Sequence, residues 1–311
     1  MDKLEAMRVF TAVADCQSFV SASRELDLSA PAVTRSIAQL EQSLGVKLFN
    51  RTTRQVRLTD VGMRYYEDAR RILEDVEQAE ATASGSYAEP KGVLSLTAPV
   101  LFGQKYIVPV VAEYLQQNPA VSVDAMFYDR VSNILDEGLD VAIRIGHLKD
   151  SSFYATEVGS IQRVVCASPE YLKKHGTPQQ PSDLTGHEII HALTVEPSTT
   201  WRFESTPQGK ESVRLSPRLR YNQNSAAIAA ACMGMGITRV MSYQVAEELN
   251  QGSLTRILQD FESAPLPVHI VYMEGRQTNA KIRAFVDLAV KRLRENPYTG
   301  YKTSDALTVS G

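Results

Sequence analysis

Residues 18–62 read SFVSASRELDLSAPAVTRSIAQLEQSLGVKLFNRTTRQVRLTDVG. Two short helical patterns meet there at a tight polar turn, and an arginine-bearing loop follows. Ser18 is placed to cap a helix running through Leu26, with Phe19, Ala22 and Leu26 facing inward. Asp27-Leu28-Ser29 makes the turn. Ser29 supplies the side-chain oxygen that an N-cap needs, and Pro31 falls in the first turn, where its missing N–H matters little. Val33, Ile37, Leu40 and Leu44 then recur at intervals of four, three and four, which predicts a buried stripe, and Gly45 ends the helix. No acidic residue lies between Ser43 and Thr59, whereas Lys47, Arg51, Arg54 and Arg57 fall within eleven residues. Phe49, Val56 and Leu58 separate them and can anchor two short strands. Upstream, Leu4, Met7, Val9, Phe10, Val13 and Ala14 predict a first amphipathic helix. The expected module is a helix-turn-helix with a basic wing.

Burial of the Val33 stripe leaves Ala30, Pro31, Ala32, Thr34, Arg35 and Gln39 on or near the outer face, mostly at the N-terminal end behind Ser29. A recognition helix presents that end to base edges. Arg35 can pair with guanine or a phosphate, and Thr34 with the small apolar surface of Ala30–Ala32 suits thymine methyl groups. Arg51 and Arg54, at the wing tip, can reach phosphates or a narrow minor groove. A solvated helix face and a solvated charged loop have the same composition. Their direct succession is what argues for DNA. The net charge of residues 1–60 is only +1, from eight Lys/Arg against seven Asp/Glu, so electrostatic grip alone is weak.

The segment resembles the DNA-binding domain of LysR-type transcriptional regulators. The matching residues are L-x-x-M-x-x-F (Leu4, Met7, Phe10), S-F-x-x-A-S (Ser18 to Ser23), S-x-P-A-V-[ST]-R-x-I-x-x-L-E (Ser29 to Glu41), L-G-x-x-L-F-x-R (Leu44 to Arg51) and L-T-x-x-G (Leu58 to Gly62). The resemblance implies that the third helix enters the major groove and the wing the minor groove. By position, Ala30, Pro31, Thr34, Arg35 and Arg54 would carry contacts. Position 30 is often polar in relatives and is Ala here.

From Thr59 to about Ser84 the pattern stays helical. Tyr65, Ala69, Ile72, Val76, Ala79 and Ala83 recur at intervals of four, three, four, three and four, the alternation of a paired helix. Packing on its own chain is the alternative use of such a stripe. The resemblance implies dimerisation through this helix, which gives two reading helices for two half-sites. Ser84-Gly85-Ser86 and Pro90-Lys91-Gly92 read as a hinge. The expected organisation is a DNA-binding domain at 1–59, a linker helix and hinge at 60–91, an effector domain at 92–296 and a loose tail at 297–311.

From Gly92 short apolar strands alternate with helices. Strands are expected at Val93–Ala98, Val121–Tyr128 and Leu139–Ile145, with a loop at Pro99–Gly103, a helix from about Gln104 to Gln117 and a short helix around Ser132–Asp136. This βαβαβ order predicts a parallel sheet. A second set begins at Arg163 and includes Leu219–Gln223 and a helix from about Ser225 to Met233. The strand Pro267–Tyr272 and the helix Asn279–Glu295 return to the first lobe, giving lobe I at about 92–160 and 267–296 and lobe II at about 161–266. Two α/β lobes with crossings near Gly159–Gln162 and Ala264–Pro267 resemble a periplasmic binding protein, the effector-domain fold of the LysR family. The fold class expected for the chain is thus a mainly α winged helix-turn-helix with a long linker helix, followed by a two-lobed α/β, periplasmic-binding-protein-like effector domain.

Ligands of open α/β sheets bind at strand carboxyl ends against helix N-termini. The candidates are Ala98, Pro99, Val100 and Phe102 in one turn, Asn222 and Asn224 in another, and Arg144 at a strand end. Helix N-termini favour an anion, typically a carboxylate. Phe102 is placed to cover an apolar body, and Arg144 to pair with the anion or to serve a structural ion pair. Asn222–Ser225 also reads as a plain cap and turn.

The 311 residues are 43% hydrophobic and 22% charged, with net charge −3. That is ordinary for a soluble multidomain protein, so any case for DNA must rest on local charge. No signal peptide, membrane-length apolar run, Walker loop, G-x-S-x-G or HExxH is present, and a cytoplasmic non-enzyme is expected. His147, His175, His187, His191 and His269 form no readable triad or metal set, although His187 and His191 would share a strand face. Cofactors and metals are not expected. Expected partners are double-stranded DNA, a small-molecule effector and further copies of the chain, as a dimer and, by resemblance, a tetramer. RNA polymerase is an additional candidate. Cys16, Cys166 and Cys232 lie far apart. Redox sensing through Cys166 and Cys232 is the alternative function, although an apolar strand and an Ala/Met-rich helix are settings of inert thiols.

Overall fold

The computed structural model describes residues 2–51, 56–83, 89–130, 138–148, 153–194, 198–205, 209–273 and 279–299. The chain divides into two compact units, Met1–Glu89 and Pro90–Gly311.

In the first unit, α1 (Lys3–Cys16), α2 (Phe19–Glu25) and α3 (Ala30–Leu44) precede a two-stranded wing of β1 (Phe49–Arg51) and β2 (Val56–Leu58), and α4 (Asp60–Ala83) follows. The caps are those the sequence calls for. Ser18 Oγ accepts from the Ser21 N–H, Ser29 Oγ accepts from the Ala32 N–H, and Gly45 closes α3 at φ +71°. Phe10, Val13, Val33, Ile37, Leu40, Leu48 and Phe49 make the core, with the Phe10 ring 5.2 Å from both Phe49 and Tyr65. One position departs from the expected stripe: Leu44 is 42% exposed. The left-handed turn at Gly45 ends the helix before Leu44 can reach inward, and the fully buried Leu48 fills the core beyond it.

The second unit holds two sheets. Lobe I contains β3 (Gly92–Ala98), α5 (Val100–Phe102), a π turn over Gly103–Ile107, α6 (Val108–Gln117), β4 (Val121–Phe127), β5 (Val141–Ile145) and β6 (Phe153–Ile161). Lobe II follows with β7 (Arg163–Ala167), α7 (Pro169–His175), β8 (Ile189–Ala192), the hairpin β9 (Thr200–Ser205) and β10 (Gly209–Arg214), β11 (Leu219–Tyr221), α8 (Asn224–Cys232), β12 (Ile237–Met241), α9 (Ala246–Asn250) and β13 (Thr255–Ile257). The chain then returns to lobe I as β14 (Leu266–Met273) and α10 (Ala280–Glu295). The sheet orders are β4-β3-β5-β14-β6 and β11-β8-β12-β7-β13.

The βαβαβ segment forms parallel strands as expected, while each sheet as a whole is mixed. β3 pairs parallel with β4 and β5, but β14 runs antiparallel to β5 and β6. β8 pairs parallel with β11 and β12, and β7 runs antiparallel to β12 and β13. The two crossing strands cause this, because each arrives from the other lobe rather than through a helix packed on its own sheet. A correction concerns Pro99–Gly103, which is helical from Val100 onward. Asp129 Oδ1 accepts from the Val100 N–H at 3.0 Å and starts the helix there. Gly103 then continues it where a Cβ would lie 2.5 Å from the Phe127 ring. The short helix expected at Ser132–Asp136 and the Ser84–Ser86 hinge lie outside the described residues. After α10 the chain stays attached through Thr299, which is buried; its carbonyl accepts from the Ser160 N–H at 3.1 Å and its hydroxyl donates to the Leu293 carbonyl at 2.9 Å.

Candidate nucleic-acid interface and inter-lobe cleft

α3 positions the expected reading residues. Its inner stripe is fixed in the core, so Ser29, Pro31, Thr34, Arg35 and Gln39 are exposed and Ala30 and Ala32 half-buried on one outer side. The Thr34 hydroxyl donates to the Ala30 carbonyl at 2.9 Å, which commits its hydrogen and leaves the methyl for other contacts. Arg51 lies on β1 opposite Val56, and Arg57 on β2 is exposed opposite Asn50. Arg54, expected at the tip, lies outside the described residues.

Lys47, grouped with the wing arginines by sequence, is ion-paired although its side chain is 77% exposed. Its ammonium donates to Glu41 Oε2 at 2.7 Å, and Glu41 Oε1 accepts from the Leu48 and Phe49 N–H groups at 3.0 and 3.3 Å. The Glu41 side chain is only 2% exposed. Burial alone would raise its carboxyl, but the hydrogen bonds from Lys47, Leu48 and Phe49 outweigh that and hold it below the usual carboxylate value. The same corner binds α4. The Thr59 N–H donates to the Leu48 carbonyl at 2.9 Å, its hydroxyl to the Lys47 carbonyl at 2.8 Å, and the Gly62 N–H to the Thr59 hydroxyl at 2.9 Å.

Along α4 the expected dimer stripe divides. Ala69 is fully buried and Tyr65 packs on Phe10, so both belong to the core of their own domain, which corrects their assignment to a dimer seam. Tyr66 hydrogen-bonds Asp15 and so ties α4 to α1. The stripe is open from Ile72, which is 37% exposed, through half-buried Val76 to exposed Ala79.

In the second unit, β3, β4 and β5 end on the edge where the chain crosses between lobes: the Tyr128 N–H donates to the Ala98 carbonyl at 3.0 Å and the Gly146 N–H to the Pro267 carbonyl at 2.8 Å. β8, β11 and β12 end on the facing edge of lobe II. β12 runs into a short 3₁₀ turn at Ser242–Gln244, which meets lobe I. The Ser242 N–H donates to the Gln162 carbonyl at 2.8 Å, and Lys105 Nζ pairs with Glu247 at 3.2 Å. Tyr243 is buried in the lobe I core, with ring centroids 5.3 Å from Phe102 and 6.0 Å from Tyr106. Burial pushes the Tyr106 hydroxyl up to about 12 and raises Tyr243 further.

These contacts correct the expected lining. Phe102 is fully buried against Tyr243 and presents no surface to a cleft. Ala98 is buried, while Pro99 and Val100 are half-buried at the lobe I edge, where Asp129 already satisfies the Val100 N–H. Burial raises the Asp129 carboxyl above its usual value against that bond. Asn224 is buried, its Oδ1 accepting from the Thr194 hydroxyl at 2.6 Å, and Asn222 is exposed beside it. α8 begins after Gln223 with no side-chain cap. Arg144 is half-buried on β5, across from His269. His187 precedes β8 and bonds the Tyr171 hydroxyl at 3.3 Å, so it shares no strand face with buried His191. Cys166 is buried and burial pushes its thiol strongly up; burial also raises Cys232. Among the described residues no cluster of three or more His, Cys, Asp or Glu fits a metal ion, and no helix is long and apolar enough to cross a membrane. Sequence reasoning missed Asp129, Thr194 and Tyr243, whose partners are distant in the chain; Glu41 stood inside the matched motif, and its burial between lysine and backbone donors was the signal available.

A winged helix-turn-helix followed by a two-lobed α/β receptor domain defines a DNA-binding transcriptional regulator with an effector-binding domain. Residues 4–63 match the family described as bacterial regulatory helix-turn-helix protein, lysR family, and residues 88–294 match the LysR substrate binding domain. The chain belongs to the LysR family of transcriptional regulators. It is 32% identical to the HTH-type transcriptional repressor PA14_22550 of Pseudomonas aeruginosa, over 96% of this chain and 94% of that protein. It is also 32% identical to the HTH-type transcriptional activator AaeR of Escherichia coli, over 92% and 93%. Among solved structures, CrgA of Neisseria meningitidis, a LysR-type transcriptional regulator, is 31% identical with a TM-score of 0.60, covering 94% of this chain and 99% of that one.

Proposed function

We propose that the protein is a cytoplasmic, ligand-responsive regulator whose effector is a small carboxylate-bearing metabolite bound between the lobes. The observation that carries this reading is the asymmetry of the two helix starts on the cleft edges. The helix opening at Val100 already holds the carboxylate of Asp129, whereas α8 opens at Asn224 with no side-chain cap. Unsatisfied N–H groups and the helix dipole make the α8 start the favoured seat for an anion. The Thr194–Asn224 bond fixes its first residue, and exposed Asn222 and half-buried Arg144 are the polar side chains this reading assigns to the anion from the two strand-end edges. Binding there shifts lobe II against lobe I, re-packs neighbouring subunits and alters promoter occupancy or DNA bend. Pairing of α4 through Ile72, Val76 and Ala79 supplies the dimer, and a tetramer built from two dimers would bring four reading helices to one promoter beside RNA polymerase. Two relatives are named for opposite roles, one a repressor and one an activator. Both outcomes fit a shift of this kind. A redox role for Cys166 and Cys232 is disfavoured, since both thiols are held protonated by burial.

The test is Gln223→Asp, which gives α8 its own carboxylate cap. The full-length variant should melt higher than wild type by the equivalent of about 0.5–2 kcal/mol. It should also lose the thermal shift that a carboxylate library produces in the wild type. A variant that keeps the full shift with the same compounds would overturn the α8 seat.

A further inference from the structure

Three elements that must act together on DNA meet at residues 47–49. α3 carries Arg35 and ends beside this segment, β1 begins in it, and the start of α4 is bonded to its carbonyls through Thr59. The group that joins α3 to the segment is the Glu41 carboxylate. It lies six residues along the same helix from Arg35, is almost wholly enclosed, and has both oxygens engaged: Oε1 with the Leu48 and Phe49 N–H groups, Oε2 with Lys47. β2 reaches the same corner through Thr59, with Val56 and Leu58 packed on the domain core, and the link from α3 itself to the wing is the grip of Glu41 on the start of β1.

We propose that Glu41 is a positioning residue for DNA binding: by holding the Leu48 and Phe49 N–H groups it sets the wing at the angle where its arginines and the Arg35 face of α3 engage one duplex together. A carboxylate suits the task because it accepts two backbone donors and a lysine at once, each bond strengthened by charge. Lys47 is drawn into this pair and contributes no phosphate contact. Without an oxygen acceptor at this position, two buried N–H groups lose their partner and β1 is released from α3. Arg57, opposite Asn50 on β2, then moves with the released strand pair.

The salt dependence of binding separates this role from plain loss of stability, since each phosphate contact contributes about one unit to the slope of log K against log salt. The experiment uses the full chain, a duplex selected from genomic DNA by the wild-type protein, and a salt titration. Arg54→Ala/Arg57→Ala serves as the wing reference. Glu41→Ala should weaken binding roughly tenfold and lower the slope by as much as the reference, and the triple variant should lose nothing more. Glu41→Gln keeps an oxygen acceptor and should restore the wild-type slope. Lys47→Ala should leave the slope unchanged. The proposal is overturned by a wild-type slope in Glu41→Ala, by losses that add to those of the reference, or by a lowered slope in Lys47→Ala. If Glu41→Ala does not fold by circular dichroism, the other two variants decide: a wing-reference slope in Glu41→Gln, or a lowered slope in Lys47→Ala, overturns it.

Discussion

Gly62 shows how little room the wing corner leaves. A Cβ there would lie 2.0 Å from the Leu48 carbonyl oxygen, a backbone atom that is itself bonded to Thr59. No side chain can swing aside to relieve that clash. Gly62→Ala should therefore destabilise the winged domain by about 1–3 kcal/mol, the range for overpacking a tight site, with the loss visible in urea unfolding followed by circular dichroism. Glu41 predicts a pH effect in the same domain. Its carboxyl is held below the value it has in an unfolded chain, so its stabilisation is complete above that value, about 4.3 for free Glu, and is lost as pH falls through the lower folded value. In melting curves between neutral pH and acid, wild type should lose stability across that window and Glu41→Gln should lose less. Parallel curves for the two proteins would remove Glu41 from the account.

At the scale of elements, α4 is one helix with two duties. Its first three turns complete the core of the winged domain through Tyr65, Tyr66 and Ala69, and its apolar stripe opens outward only from Ile72. Val76→Asp should leave the winged domain folded and shift the protein toward monomer in sedimentation velocity, whereas Ala69→Asp should unfold that domain. Equal loss of structure in both variants would refute the division. The sequence pattern gave no sign of it, because a stripe alternating between four and three residues looks the same whether the own domain or a second copy covers it. α2 and α3, by contrast, were legible down to their caps. Ser18, Ser29 and Gly45 act within three or four residues of themselves, and local chemistry is what a sequence displays. Leu44 failed for a related reason: periodicity continues to the end of a helix, while burial depends on where the neighbouring segment turns.

Across the whole molecule the illegible part is the cleft. Asp129 caps Val100 from 29 residues away, Thr194 meets Asn224 across 30, and Tyr106 bonds the Tyr243 carbonyl across 137. No spacing rule connects such pairs, so the candidate lining drawn from strand ends included a buried Phe102 and omitted Asp129. The crossing of the chain between lobes was legible, but its consequence for strand direction was not. Tyr243 leaves the lobe II sheet through β12 and completes the aromatic cluster of lobe I. Tyr243→Ala should destabilise the second unit by about 3–5 kcal/mol, as other large-to-small aromatic core changes do. Hydrogen exchange should then quicken together in Val100–Ile107 and Ser242–Asn250, one segment from each lobe. Faster exchange confined to lobe I would show that the residue fills space without joining the lobes.

That ring also bears on how new specificities can arise. A gene exchange that swapped lobe II for a relative's would import a foreign side chain into the centre of lobe I, and with it a misfit that no change at the cleft edge could repair. On the proposed site, a new effector would be met by single substitutions along the strand ends, around Asn222 and Thr194, whereas a swap of whole lobes would need residues 242–244 to stay with the lobe they plug.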